Sequence, residues 1–145
     1  MANRIKPVHR KAIEEYVEKV RVALGLLEWR IVLLDEPTED DEAVEPPTAQ
    51  ISTTETHHLA LMRVGDRFFD DDGNPDNLRT ETLIHEVLHL HFEFAWHAFL
   101  EVAHSNLAGQ ALGLAKYSYR TNIERGVDQL AHALASMLPP FKLPK

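Results

Sequence analysis

The chain has 145 residues, 44% of them hydrophobic, with a net charge of −8 and no cysteine. That length suits one domain, residues 1–145, with a core of its own. No apolar run is long enough to span a membrane, the acidic balance argues against nucleic acid or an anionic membrane as partner, and disulfides and thiolate metal sites are excluded.

The opening stretch, MANRIKPVHRKAIEEYVEKV, is highly charged and holds no apolar signal core, which predicts a cytoplasmic protein. From about Lys6 to Leu24 a helix is expected. Ile13, Tyr16, Val17, Val20 and Leu24 recur at helical spacing, and Gly25 offers a C-cap. EWRIVLL (Glu28–Leu34) reads as a strand. DEPTEDDEAVEPP (Asp35–Pro47) carries seven acidic residues and three prolines, so a solvated loop follows. AQISTTET (Ala49–Thr56) and HLALMRVG (His58–Gly65) read as two more strands, with the polar Glu55–His57 region turning between them.

Asp66–Asn77 is expected to start with an extended piece around Phe68 and Phe69. It then becomes a turn-rich loop in which Asp76 or Asn77 caps the next helix. Its alternating Asp70, Asp72, Asn74 and Asp76 suggest a calcium loop, but Pro75 stands where such a loop requires glycine. A helix is predicted from about Leu78 to Ala98 or beyond. The stretch from Glu101 to Thr121 is helical with mixed periodicity. A final helix, about Arg120 to Leu138, shows Ile123, Val127, Leu130, Ala131, Leu134 and Leu138 as its apolar stripe and ends at Pro139 and Pro140.

One stretch carries the chemistry. TLIHEVLHLHFEFAWH (Thr82–His97) is strongly apolar, yet holds four histidines and two glutamates. Inside it HEVLH is an HExxH motif. On a helix His85 and His89 lie one turn apart on one face and can grip one cation. Glu86 lies about 100° further round, where it reaches a water on the metal as a general base. Zinc suits two neutral imidazoles plus an oxygen ligand.

A third ligand is then required. His91 points away from His89. A straight helix carries Glu93 past the metal, and His97 or His104 returns only if the chain bends after Phe94. NIERGVDQLA (Asn122–Ala131) offers Glu124 and Asp128 at i and i+4, a repulsive pair bordering the apolar stripe. A cation resolves that repulsion if Glu124 binds it and Asp128 accepts the free ring N–H of a ligand histidine. The plain alternative is a solvated pair in which Arg120 partners Glu124.

HExxH followed by a later helix with ExxxD resembles the gluzincins, zinc metallopeptidases whose third ligand is a glutamate. The short chain, the Trp29–Leu34 strand and ERGVDQLAHALASMLP look most like small minigluzincin-type proteins of phages and prophages. The resemblance covers about Glu28 to Pro139, with a gap from His89 to Glu124 that is long for the group. It implies an α+β fold: a small, mainly antiparallel or mixed sheet of three to four strands, packed against an N-terminal helix, an HExxH helix and a C-terminal glutamate helix. It implies Zn2+ held by His85, His89 and Glu124, with Glu86 as base and Asp128 behind a ligand. Tyr117 or Tyr119 would stabilise the oxyanion. A peptide or protein substrate would lie along a sheet edge, expected at His58–Gly65 or Asp66–Phe69. The expected function is zinc-dependent peptide hydrolysis. The alternatives are a zinc-binding interaction module without turnover and a metal-free interaction domain. A DNA-attached SprT-like peptidase is disfavoured by the acidic charge and the lack of a cysteine zinc ribbon.

Overall fold

Pro7 opens helix α1 (Pro7–Ala23), where its fixed φ fits the first turn and its missing N–H costs nothing. Ile13, Tyr16, Val17 and Val20 form the buried stripe that the spacing predicts. The chain leaves the helix through Gly25, whose φ of 71° favours glycine. The computed structural model describes residues 5–36, 47–54 and 58–145. The acidic segment at 37–46 and the turn expected at 55–57 lie outside the described residues.

Three strands follow: β1 (Arg30–Leu33), β2 (Ala49–Thr54) and β3 (Leu59–Val64). They form one mixed sheet in the order β1-β3-β2, with β1 parallel and β2 antiparallel to β3. Together with the helices this makes an α+β fold. Ala60, Met62 and Val64 of β3 are buried, and their register partners Thr53, Ile51 and Ala49 lie on the same face. Gly65 N–H donates to Thr48 O across this pair at 2.9 Å. Backbone groups alternate inward and outward along an antiparallel strand. Ala49, Ile51 and Thr53 therefore turn theirs to the outer edge of β2.

This order corrects the expected edge. His58–Gly65 supplies the central strand, paired on both sides, and Asp66–Phe69 is a short 3-10 helix rather than an extended piece. The tight turn sends Phe68 wholly into the core, 5.9 Å from the Phe141 ring, and leaves Phe69 half-buried. Two consecutive phenylalanines on an extended strand would instead face opposite ways. Among the described residues, the edges of the sheet are β1 and β2.

Two long helices complete the chain: α2 (Asp76–Asn106, 31 residues) and α3 (Gly109–Ala135, 27 residues). Pro75, not Asp76 or Asn77, occupies the cap position of α2. The Asp76 carboxylate is engaged elsewhere: it accepts from Arg79 Nη1 at 3.0 Å and from the Leu143 N–H at 3.2 Å. Leu83, Ile84, Val87 and Leu88 are all buried and seat α2 in the core. After the turn at Leu107 and Ala108, Gly109 (φ 56°) starts α3, which runs unbroken through the stretch of mixed periodicity. Val127 and Ala131 bury against the core, whereas Leu130 of the expected stripe is 45% exposed. Past Pro139 and Pro140 the tail folds back, and Phe141 N–H donates to Thr80 Oγ1 at 2.9 Å. Among the described residues no helix is long and apolar enough to cross a membrane.

Candidate metal centre

The antiparallel pairing of α2 with α3 brings four distant side chains to one point. His85 and His89 present their Nε2 atoms 3.0 Å apart. Glu124 Oε2 of α3 stands 3.4 Å from the first and 3.6 Å from the second. Ligands held about 2.0–2.1 Å from zinc at tetrahedral angles stand roughly 3.3 Å from one another. The three donor atoms thus already span one face of such a tetrahedron. They form the one group of three metal-ligating side chains found among the described residues.

Behind this triangle, Asp128 Oδ1 lies 2.9 Å from His85 Nδ1. A carboxylate at that ring nitrogen is placed to favour the tautomer with its proton on Nδ1, in which Nε2 is free to bind a metal. Asp128 and Glu124 share a face of α3 because they are one turn apart. Burial holds the His89 imidazolium pKa below its ordinary range, with Glu124 opposing, so the neutral ligand form prevails at neutral pH. The donor set of two imidazoles and a carboxylate, with a second carboxylate behind it, fits zinc.

Glu86 lies beside the triangle and is 9% exposed. Burial pushes its carboxyl up to about 8, and Glu124 adds to the rise; the Ile51 N–H, donated from the outer edge of β2, partly offsets it. A divalent cation at the triangle would act in the opposite direction and favour the carboxylate.

The cleft over the site has two arms that share His85 and Glu86. One, of about 440 Å³, is lined by Arg67, Asp70, Asn74, Glu81 and Thr82. The other, of about 460 Å³, is lined by His89, Phe92, Trp96, Tyr119 and Ile123. Ala49 of β2 borders both, and Ile51 borders the second. Tyr119 therefore faces the cleft, stacked on Phe99 at 4.3 Å. Tyr117 is 72% exposed and does not line it.

The remaining histidines lie off the triangle. His91 and His104 are exposed. His97 Nε2 pairs with Glu93 Oε1 at 2.9 Å, and that same carboxylate accepts from Thr53 Oγ1 of β2. Glu93 thus ties α2 to the sheet edge one turn beyond His89. Sequence reasoning missed three participants: the Ile51 N–H, and the Phe92 and Trp96 rings. For the rings a signal was present, since His85, His89, Phe92 and Trp96 follow i, i+4, i+7 and i+11 along one helical face. For Ile51 none was, because edge position is a property of the strand order. Comparisons with protein-family models, with curated proteins and with solved structures found no match.

Proposed function

We propose that the protein is a zinc-dependent peptidase. The observation that supports this most is the convergence of His85 Nε2, His89 Nε2 and Glu124 Oε2 at tetrahedral spacing with Glu86 adjoining. When bound, zinc supplies a Lewis acid for the substrate carbonyl and makes water acidic enough to act near neutral pH. The residues of the chain do the rest. Asp128, 2.9 Å from His85 Nδ1, favours the ring proton there and leaves the Nε2 lone pair for the metal. Glu86 takes a proton from the attacking water on its carboxylate and passes it to the departing amine nitrogen, so that water adds across the peptide bond. The substrate lies along the outer edge of β2, where Ala49, Ile51 and Thr53 offer backbone groups. Tyr119 is the better placed of the two tyrosines to meet the developing oxyanion.

A second reading keeps zinc without turnover, as a protein-interaction module. The burial of Glu86 and its hydrogen bond from Ile51 favour it, since that N–H also lies where a substrate strand would pair.

Zinc per chain, measured by elemental analysis on tag-free protein, is expected near one for wild type and much lower for Glu124→Ala. Glu86→Gln is expected to keep zinc and lose cleavage of unfolded polypeptide. Zinc retained in full by Glu124→Ala would overturn the ligand set. Cleavage by Glu86→Gln at the wild-type rate would overturn the mechanism. Zinc without any cleavage by wild type would select the second reading.

A further inference from the structure

Beyond the cleft, α2 and α3 continue as a hairpin with little behind it. Within residues 95–118 the one buried side chain is Ala103. Trp96 and Phe99 of α2 meet Tyr119 of α3, with ring centroids 5.5 and 4.3 Å away. Ala103, Leu112 and Ala115 continue these stripes at helical spacing and are buried or half-buried. This first pair of stripes closes the hairpin.

Each helix carries a second stripe. Ala95, Ala98 and Val102 on α2, and Ala111, Leu114 and Ser118 on α3, both run i, i+3, i+7, the spacing by which helices pack in bundles. All six are exposed, Val102 at 64% and Leu114 at 62%. The two stripes lie on one flank. Nine residues make two and a half turns, so Val102 points opposite to Glu93 and Ala111 opposite to Arg120. Glu93 and Arg120 both line the cleft. The second stripes therefore share the far side of the hairpin, away from the candidate metal centre.

Charge and size indicate what covers this flank. The chain has a net charge of −8, yet between Phe94 and Tyr119 only Glu101 and Lys116 are charged, and they cancel. A second copy meets no like charge on the flank, whereas the net charge opposes its approach over the rest of the surface. From His91 to Leu107 the flank is roughly 24 Å long, and two helices about 10 Å wide make it roughly 20 Å across. That is roughly 480 Å² in plane, the size of patch that marks an interaction site, and of the order of the ~800 Å² that each partner of a stable complex buries. Two helices with two apolar stripes each are half of a four-helix bundle, and a twofold axis supplies the other half.

We infer that this flank is a self-association surface, on which a second copy of the chain docks hairpin to hairpin to form a four-helix bundle. Val102 and Leu114 are its central side chains, and both clefts face outward, open to their substrates.

The test is sedimentation equilibrium of the full chain over a range of concentrations. Wild type should sediment at twice the chain mass at about 100 μM, well above the micromolar upper end of dissociation constants for interfaces of this size. The double variant Val102→Glu, Leu114→Glu should sediment at one chain mass, its dissociation constant raised at least about a hundredfold, because docking would bury unpaired charges. Both positions are exposed, so far-UV circular dichroism and zinc content should match wild type. Mixing that variant with Val102→Lys, Leu114→Lys should restore the doubled mass, since the charges then pair across the bundle. A wild type that stays at one chain mass overturns the inference and leaves the flank to a different protein. A glutamate variant that still dimerises overturns it as well, as does a glutamate and lysine pair that stays apart on mixing.

Discussion

A carboxyl group buried as deeply as that of Glu86 should make the metal-free protein lose stability as pH rises. Its folded-state pKa is pushed from an ordinary 4.5 to about 8. Between these values the folded chain keeps a proton that the unfolded chain has lost. Stability therefore falls through the window from pH 4.5 to about pH 8 and is flat outside it. One proton gives a slope of about 1.4 kcal/mol per pH unit, or roughly 3 kcal/mol between pH 5 and pH 7. Glu86→Gln removes the titration while keeping the side-chain size and a carbonyl oxygen for the Ile51 N–H. In the presence of chelator the variant should thus gain roughly 3 kcal/mol on wild type between pH 5 and pH 7, a rise of about 6–12 °C in Tm at this chain length. Urea unfolding of both proteins at pH 5, 6, 7 and 8 measures it. Titrations common to both, such as that of His89, cancel in the difference. Parallel stability curves would refute the reasoning, since a penalty for an ionised Glu86 must appear in wild type alone.

Asp128→Ala should weaken zinc binding by about tenfold, the lower end of the range for carboxylates that orient a ligand histidine, because Asp128 is 67% exposed. Competition against a chromogenic chelator reads this directly, and an unchanged affinity would mean that His85 is oriented without it. Arg79→Met should cost roughly 1–3 kcal/mol in chemical denaturation. The guanidinium is 2% exposed and serves Phe68 O, Asp71 and Asp76 together, so its loss leaves the Phe68 carbonyl with only the long 3.4 Å bond from Asn74 Nδ2; a loss below about 1 kcal/mol would show that water or Asn74 replaces it.

The pairing of His85 with His89 was legible because HExxH states its own geometry: a helix of 3.6 residues per turn leaves the two histidines no choice but one face. Glu124 and Asp128 were legible as an anomaly, two like charges stacked at the rim of an apolar stripe, though spacing alone left a plain ion pair with Arg120 open. The strand positions of β1, β2 and β3 followed from local composition. Their order did not. Which strand lies at the edge is decided by how β1 returns parallel to β3, a long-range outcome invisible in HLALMRVG or AQISTT. The same applies to Phe68 and Phe69, where burial of one ring beside Phe141, far along the chain, overrides the β preference of both. Asp76 resembled a cap because its partners, Arg79 and Leu143, are fixed only when the tail folds back.

The turn at Leu107 and Ala108 lies far along the helices from the ligands, about 27 Å beyond His89 at 1.5 Å per residue. Only the phase of α3 relative to α2 reaches the centre from there. Inserting or removing matched whole turns on both sides of Leu107 would lengthen or shorten the projecting hairpin and return Glu124 to the same bearing. A one-residue change in a single helix would swing it by about 100° and disperse the triangle. The hairpin tip is thus a region where chain length can drift in steps of a helical turn while His85, His89 and Glu124 stay together, which accounts physically for the long stretch between the second histidine and the glutamate.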